Sequence, residues 1–113
     1  MATIHNTIDK VAGDPQSDAE VTVEIVWDKS QGVVPKEVST ETTIVGPFKT
    51  DTDEDGYWSV NLVANTEILP IHNAYKVTEV VGSQSVTYYV YVSESATPNY
   101  WSHSVIIAKP GWV

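Results

Sequence analysis

The 113-residue sequence contains no cysteine and no arginine, and these two absences exclude several kinds of site. Without cysteine there is no disulfide, no thiolate zinc site and no cysteine nucleophile. Without arginine the chain lacks the forked donor that commonly binds phosphate and carboxylate ligands. The fold must therefore be stabilised by packing, by a metal ion or by partners rather than by covalent cross-links.

Positive charge is also scarce, because six lysines face fifteen acidic residues and the net charge is −9. Nucleic-acid binding requires clustered basic side chains that neutralise phosphates, so this balance argues against it. A contact with anionic membranes needs a polybasic segment, which is missing as well. The sequence thus predicts a protein that binds neither nucleic acid nor membranes.

Long apolar runs are absent too. The apolar stretches are a few residues long, far below the roughly 20 residues that a membrane-spanning helix needs. Residues 1–6 lack a basic region followed by an apolar segment, so no signal peptide is predicted. We expect the chain to be made and assembled in a cytoplasm, whatever its final location.

The most informative stretch is residues 50–62, which join an acidic turn, a glycine and an alternating strand. Its apolar side chains fall on every second position: Trp58, Val60 and Leu62. A period of two is typical of a half-buried β-strand, since successive side chains point to opposite faces of a sheet.

The same alternation recurs over residues 21–27, 74–81 and 85–92, and a short turn containing Gly82 links the last two runs as a β-hairpin. A β-branched run at residues 42–45 predicts a further strand. No helix-period segment and no internal repeat is present. Short strands separated by frequent turns predict an all-β fold, a single Greek-key β-sandwich of six to seven strands.

One core, and so one domain, fits this length. Residues 1–12 are interpreted as a flexible N-terminal arm or as a first edge strand, residues 13–108 as the sandwich and residues 109–113 as a C-terminal tail. Residues 63–73 are interpreted as a crossover loop whose apolar side chains cap the core: Ile68, Leu69 and Ile71. Trp27 and Trp58 lie on the apolar faces of their predicted strands, so both are expected in the core.

The acidic turn has two interpretations. Asp51, Asp53 and Asp55 precede Gly56 in the order that begins a calcium loop, and Ca²⁺ prefers such hard oxygen ligands. Where that loop would close with a glutamate, however, the sequence has Leu62. A solvated β-turn, in which aspartates bond the nearby backbone, explains the same residues. No other cofactor is indicated.

Catalytic patterns are missing. His5, His72 and His103 are the only side chains whose ordinary pKa suits general-base chemistry, and none lies at metal-ligand spacing or in a nucleophile motif. The sequence carries no phosphate loop or dinucleotide fingerprint. We therefore predict that the protein is not an enzyme.

Aromatic residues outside the predicted strands are the candidate partner-binding residues: Tyr100, Trp101 and Trp112. Exposed aromatics in loops and tails mark protein interfaces or platforms on which sugars stack. Folding back onto the core explains them equally well.

Three segments carry a resemblance: Gly56-Tyr57-Trp58-Ser59-Val60-Asn61-Leu62, Tyr75-Lys76-Val77-Thr78-Glu79 and Tyr89-Val90-Tyr91-Val92. Together they resemble the transthyretin-like or carboxypeptidase-regulatory-like β-sandwich, and more narrowly the modules of tailed-bacteriophage virion proteins. The resemblance covers residues 18–108 in outline. It departs from the family at residues 13–19, where the usual glycine- and proline-rich turn is replaced.

The resemblance implies a non-enzymatic virion structural protein, most simply a capsid decoration or auxiliary protein. Its partners would be the major capsid protein or other virion proteins, with homo-oligomers as a further form of assembly. The alternative is a tail-associated or surface carbohydrate-binding module. In the first case the mature location is the virion.

Overall fold

The computed structural model describes residues 2–8, 13, 15–93 and 104–113. The predicted all-β fold is confirmed, with nine strands in these residues rather than six to seven, because two strands have only two residues each. No helix in this part of the chain is long and apolar enough to cross a membrane. The strands are β1 Ala2–Thr7, β2 Glu20–Trp27, β3 Lys36–Glu37, β4 Phe48–Asp51, β5 Tyr57–Leu62, β6 Ile68–Leu69, β7 Asn73–Val81, β8 Gln84–Val92 and β9 Ser104–Ile107.

All strand pairs are antiparallel. The large sheet has the order β4-β2-β7-β8-β9, the small sheet pairs β1 with β5, and a short ribbon pairs β3 with β6. The N-terminal segment forms β1 along the full length of β5, with Ala2 opposite Leu62 and Thr7 opposite Tyr57. The chain leaves the large sheet after β4, adds β5 to the small sheet and returns to the large sheet with β7.

The core lies between the inner faces of the two sheets. Alternation decides which side chains face it, as the period of two predicts. The small sheet contributes four buried side chains: Ile4, Trp58, Val60 and Leu62. The large sheet contributes six, and Ile68 closes one end: Val21, Val23, Tyr75, Val77, Val90 and Val92. Burying this apolar surface is the main favourable contribution to folding.

A buried carboxylate crosses the core. Glu79 lies on the inner face of β7, where its Oε2 accepts hydrogen bonds from Trp58 Nε1 at 2.7 Å and from Asn6 Nδ2 at 3.1 Å. Those donors come from the two strands of the small sheet. The hydroxyl of Tyr88, on the neighbouring strand β8, is buried beside Asn6 and Glu79 without a well-aligned hydrogen bond to either.

Three features differ from the sequence predictions. Residues 42–45 form only an isolated bridge, between Thr43 and Lys36, because this run lies beside the sandwich rather than in a sheet. Trp27 is only half-buried at the end of β2, where its Nε1 donates to the carbonyl of Val33 at 2.9 Å. The loop residues Leu69 and Ile71 are exposed instead of capping the core.

The first prediction concerns Gly56, whose φ of +73° and tight surroundings both require glycine. A Cβ at this position would overlap the carbonyl oxygen of Ile8 and lie 3.0 Å from the backbone nitrogen of Gln16. We expect Gly56→Ala to lower the free energy of unfolding by about 3 kcal/mol or more, measured by urea denaturation. Gly82→Ala is the control, since Gly82 has a similar φ but open space, and it should cost only about 1 kcal/mol. Equal losses in the two variants would contradict the steric explanation.

The second prediction concerns stability at alkaline pH. Burial raises the pKa of Tyr75 and of Tyr88 above the ordinary 10.0, and the carboxylates of Glu37 and Glu79 respectively raise each pKa further. The folded state therefore holds these protons more tightly than the unfolded chain does. The resulting stabilisation is complete below pH 10 and is lost as the pH rises above that value.

We therefore expect the free energy of unfolding to fall above about pH 10, by up to about 1.4 kcal/mol per pH unit for each buried tyrosine. Tyr88→Phe removes one of the two protons, together with a buried hydroxyl that lacks a well-aligned hydrogen bond. This variant should match or exceed the wild type at about pH 8 and show a shallower alkaline slope. An unchanged slope would rule out the assigned role of Tyr88.

Candidate functional site

An open groove of about 1080 Å³ lies at the end of the sandwich where β2 finishes and β7 begins. We call it the end groove. Three segments line it: residues 32–34, residues 36–41 in part, and residues 69–72. Its position between loops, rather than within the core, makes it accessible to a large partner.

The first wall is built by the turn that ends β2. Asp28 caps a single turn of 3-10 helix, accepting hydrogen bonds from the backbone nitrogen of Ser30 at 3.0 Å and from its hydroxyl at 2.6 Å. Gly32, with a φ of +67°, then reverses the chain. Pro35 is buried, so the two residues before it, Val33 and Val34, are held at the surface.

The second wall is held by two buried amides. Asn73 Nδ2 donates to the carbonyls of Pro70 at 2.7 Å and Ile68 at 3.1 Å, while its Oδ1 accepts from Asn65 Nδ2 at 2.7 Å. Asn65 Oδ1 in turn accepts from the backbone nitrogen of Val92 at 2.6 Å. The carbonyls of Ile68 and Pro70 thus bond the buried amide of Asn73. Along the same segment Ile68 is buried, whereas Leu69 and Ile71 are exposed.

The outcome is a cluster of exposed aliphatic side chains around the end groove. Each keeps between 50% and 74% of its surface accessible: Val33, Val34, Val38, Leu69 and Ile71. Scattered exposed aliphatics are common, but a group that lines one concavity is a recognised mark of a binding surface.

A second groove of about 500 Å³ adjoins the first and shares Val34 with it. Trp27, residues 43–46 and the C-terminal Trp112 and Val113 line this tail groove. The ring of Trp112 stacks on that of His72, with centroids 6.2 Å apart and an interplanar angle of 10°. The tail therefore folds back onto the body next to the end groove.

Charge at this end is mixed and sparse. His72 Nδ1 lies 3.6 Å from Asp28 Oδ2. The pKa of Asp28 is lowered, first by the hydrogen bonds from Ser30 and then by His72. Lys36, Glu37 and Glu41 lie on the rim, and Glu37 accepts a hydrogen bond from Thr40 at 2.8 Å. The arrangement offers contacts for a partner but no converging set of catalytic groups.

Of the predicted partner-binding residues, the structure places Trp112 between the two grooves. Tyr100 and Trp101 lie outside the described residues, as does His103. His5 contacts Tyr57 at 5.7 Å between ring centroids, whereas His72 contacts Asp28 and Trp112. The ring contacts of these two histidines are therefore with different aromatic residues.

The acidic turn adopts the geometry of a hydrogen-bonded β-turn. Asp53 Oδ1 accepts from the backbone nitrogens of Asp55 at 2.8 Å and Tyr57 at 3.0 Å. Across the residues that the structure describes, no three acidic or histidine side chains form a group able to hold a metal ion. Asp51, Asp53 and Asp55 thus lack a preformed calcium cluster, and calcium binding there stays a prediction.

The sequence pattern does not reveal the end groove. It predicts that Leu69 and Ile71 cap the core, whereas both side chains line the groove. The sequence feature that points to this loop is the pair Asn65 and Asn73, since side-chain amides that flank an apolar loop can bond its carbonyls. Which of the enclosed side chains then point outward depends on contacts that only the folded chain makes.

No family model matches the sequence, and no curated protein matches it.

The third prediction tests how the second wall is held. Asn73→Asp is isosteric but cannot donate, so it would place a buried carboxylate against the carbonyls of Ile68 and Pro70. We expect a loss of about 3 kcal/mol in the free energy of unfolding and faster amide exchange in residues 68–72. Gln84→Glu adds the same charge at an exposed site and should change stability by less than about 0.5 kcal/mol. Wild-type stability in Asn73→Asp would refute this account of the loop.

Proposed function

We propose that this protein is a non-enzymatic virion structural protein that binds the assembled head of a bacteriophage as a capsid decoration or auxiliary protein. The end groove is its docking surface, and the major capsid protein is its partner. The observation that supports this most directly is the cluster of five aliphatic side chains, each at least half exposed, around one concavity. The proposal also rests on the resemblance carried by residues 18–108.

The chemistry of the groove indicates the partner surface. Aliphatic side chains favour an apolar ridge or loop, because burying them removes apolar area from water. Two acidic residues on the rim, Glu37 and Glu41, outnumber Lys36, and in a chain of net charge −9 this balance favours basic side chains around that ridge. A capsid surface that presents an apolar loop flanked by lysine or arginine meets both requirements.

Weak individual contacts suffice for such a role. A capsid repeats its surface many times, so decoration needs only modest affinity at each site, and association between neighbouring copies would add avidity. A groove on a rigid sandwich, held by buried amides, also keeps the conformational cost of binding low.

A carbohydrate-binding module is the second candidate. Trp27 and Trp112 both line the tail groove, and indole rings are common platforms for sugars. One face of Trp27 is covered by the ammonium group of Lys29, 5.2 Å from the ring centroid, and Trp112 stacks on His72. The ring surface left for a sugar is therefore smaller than the aliphatic surface of the end groove.

The fourth prediction tests the docking surface with purified heads that lack the protein. Leu69→Asp and Ile71→Asp place a charge in the end groove, where we expect at least about a tenfold loss of binding in co-sedimentation with heads. Both side chains are exposed, so thermal unfolding should be unchanged. Gln84→Asp is the matched control, since it adds the same charge at an exposed residue near the opposite end of β7.

Head binding at wild-type strength by both groove variants would refute the end groove as the docking surface. Failure of the wild-type protein to bind any heads, together with glycan binding that Trp112→Ala abolishes, would favour the carbohydrate module instead.

A further inference from the structure

Strand β9 forms one edge of the large sheet. Among the described residues it pairs only with β8, in a register that sets Ile106 opposite Val90 and Ile107 opposite Tyr89. Within the part of the chain that the structure describes, no strand pairs with the other side of β9, and its main-chain donors and acceptors on that side have no ladder partner. Such an edge is a template for a further strand.

The residues of β9 include none of the kinds that block the pairing of a further strand. Natural sheets usually protect their edges with lysine, proline or a bulge. Residues 104–108 read Ser-Val-Ile-Ile-Ala, with no charge and no proline, and Lys109 and Pro110 come only after the strand has ended. The β-branched residues at its centre favour an extended conformation.

An aliphatic side chain at this edge is also exposed. Ile106 lies on the inner face beside the fully buried Val90, yet 61% of its surface is accessible. A strand added to β9 would cover it, so apolar burial would accompany the new backbone hydrogen bonds.

We propose that the β9 edge pairs with the β9 edge of a second copy of this chain, antiparallel about a two-fold axis, to form a continuous ten-stranded sheet. In the register centred on Ile106, this residue faces its own copy, and Val105 faces Ile107 of the second copy. All facing positions are uncharged, so the same surface is complementary to itself, as a two-fold interface requires.

The distribution of charge favours this surface for self-association. Two molecules of net charge −9 repel each other, so contact is least opposed where charge is lowest. Strands β8 and β9 contain no charged residue. The opposite edge of the sheet, β4, contains Lys49 and Asp51 and leads directly into the acidic turn.

Strand β1, at one edge of the small sheet, is less suited to self-association than β9. Strand β1 is uncharged as well, but its aliphatic side chain, Ile4, is already fully buried. Pairing there would bury no further aliphatic surface of that residue. Pairing at β9 would bury Ile106 as well as satisfying the backbone.

This inference does not depend on the proposed function, because association is measured without heads. Sedimentation equilibrium over about 1 μM to about 1 mM protein should show a monomer–dimer equilibrium with a Kd below about 100 μM, as expected for a small interface. Ile106→Lys should raise that Kd at least tenfold. Val86→Lys, which adds the same charge on the same face at equal exposure but away from the edge, should leave it unchanged.

A second measurement uses the absence of native cysteine. Ile106→Cys should form a disulfide-linked dimer under mild oxidation at least tenfold faster than Val86→Cys, because only the former faces its own copy. Thermal unfolding shows whether each variant is folded. A purely monomeric wild type up to about 1 mM, or a dimer that survives Ile106→Lys, would overturn the proposal. Loss of the dimer in Ile71→Asp but not in Ile106→Lys would also overturn it, assigning self-association to the end groove.

Discussion

The carboxylate of Glu79 is the contact that fixes the small sheet against the large one. A two-stranded sheet is barely stable alone, so β1 and β5 must be held by the surface they cover. One oxygen of Glu79 accepts from Trp58 and from Asn6, and thus from both of these strands. A buried carboxylate without donors is costly, and a one-residue slip of either strand would turn its donor to the other face. This contact therefore selects the register as well as the packing.

The requirement that buried polar groups be hydrogen-bonded also shapes the end groove. Asn65 and Asn73 are buried, so their amides must be hydrogen-bonded: Asn65 donates to Asn73 Oδ1, and Asn73 donates to the carbonyls of Ile68 and Pro70. That requirement fixes the course of the loop and leaves Leu69 and Ile71 outside. The exposed aliphatic cluster is thus a consequence of satisfied polar groups in the core. The loop that presents this cluster is therefore held by hydrogen bonds within the chain itself.

The end groove and the β9 edge lie on different elements and use different chemistry. The groove offers apolar side chains with acidic neighbours, whereas the edge offers main-chain groups and uncharged β-branched residues. Elsewhere the acidic residues of the chain keep copies apart. If both proposals hold, each dimer carries two end grooves, and a pair of weak contacts with a repeated surface becomes a strong one.

The sequence by itself determined the all-β class, the hairpin at Gly82 and the core faces of β2, β5 and β7. These follow from local rules, namely side-chain alternation and turn chemistry, which act over a few residues. Only the tertiary structure decided that residues 42–45 form no strand, that Trp27 stays half-buried and that Leu69 and Ile71 face the solvent. It also decided that Glu79, which shares a face with Val77, meets donors from two distant strands. Those outcomes depend on partners far away in the chain, and the free energy of burial or of a buried hydrogen bond exists only once they meet.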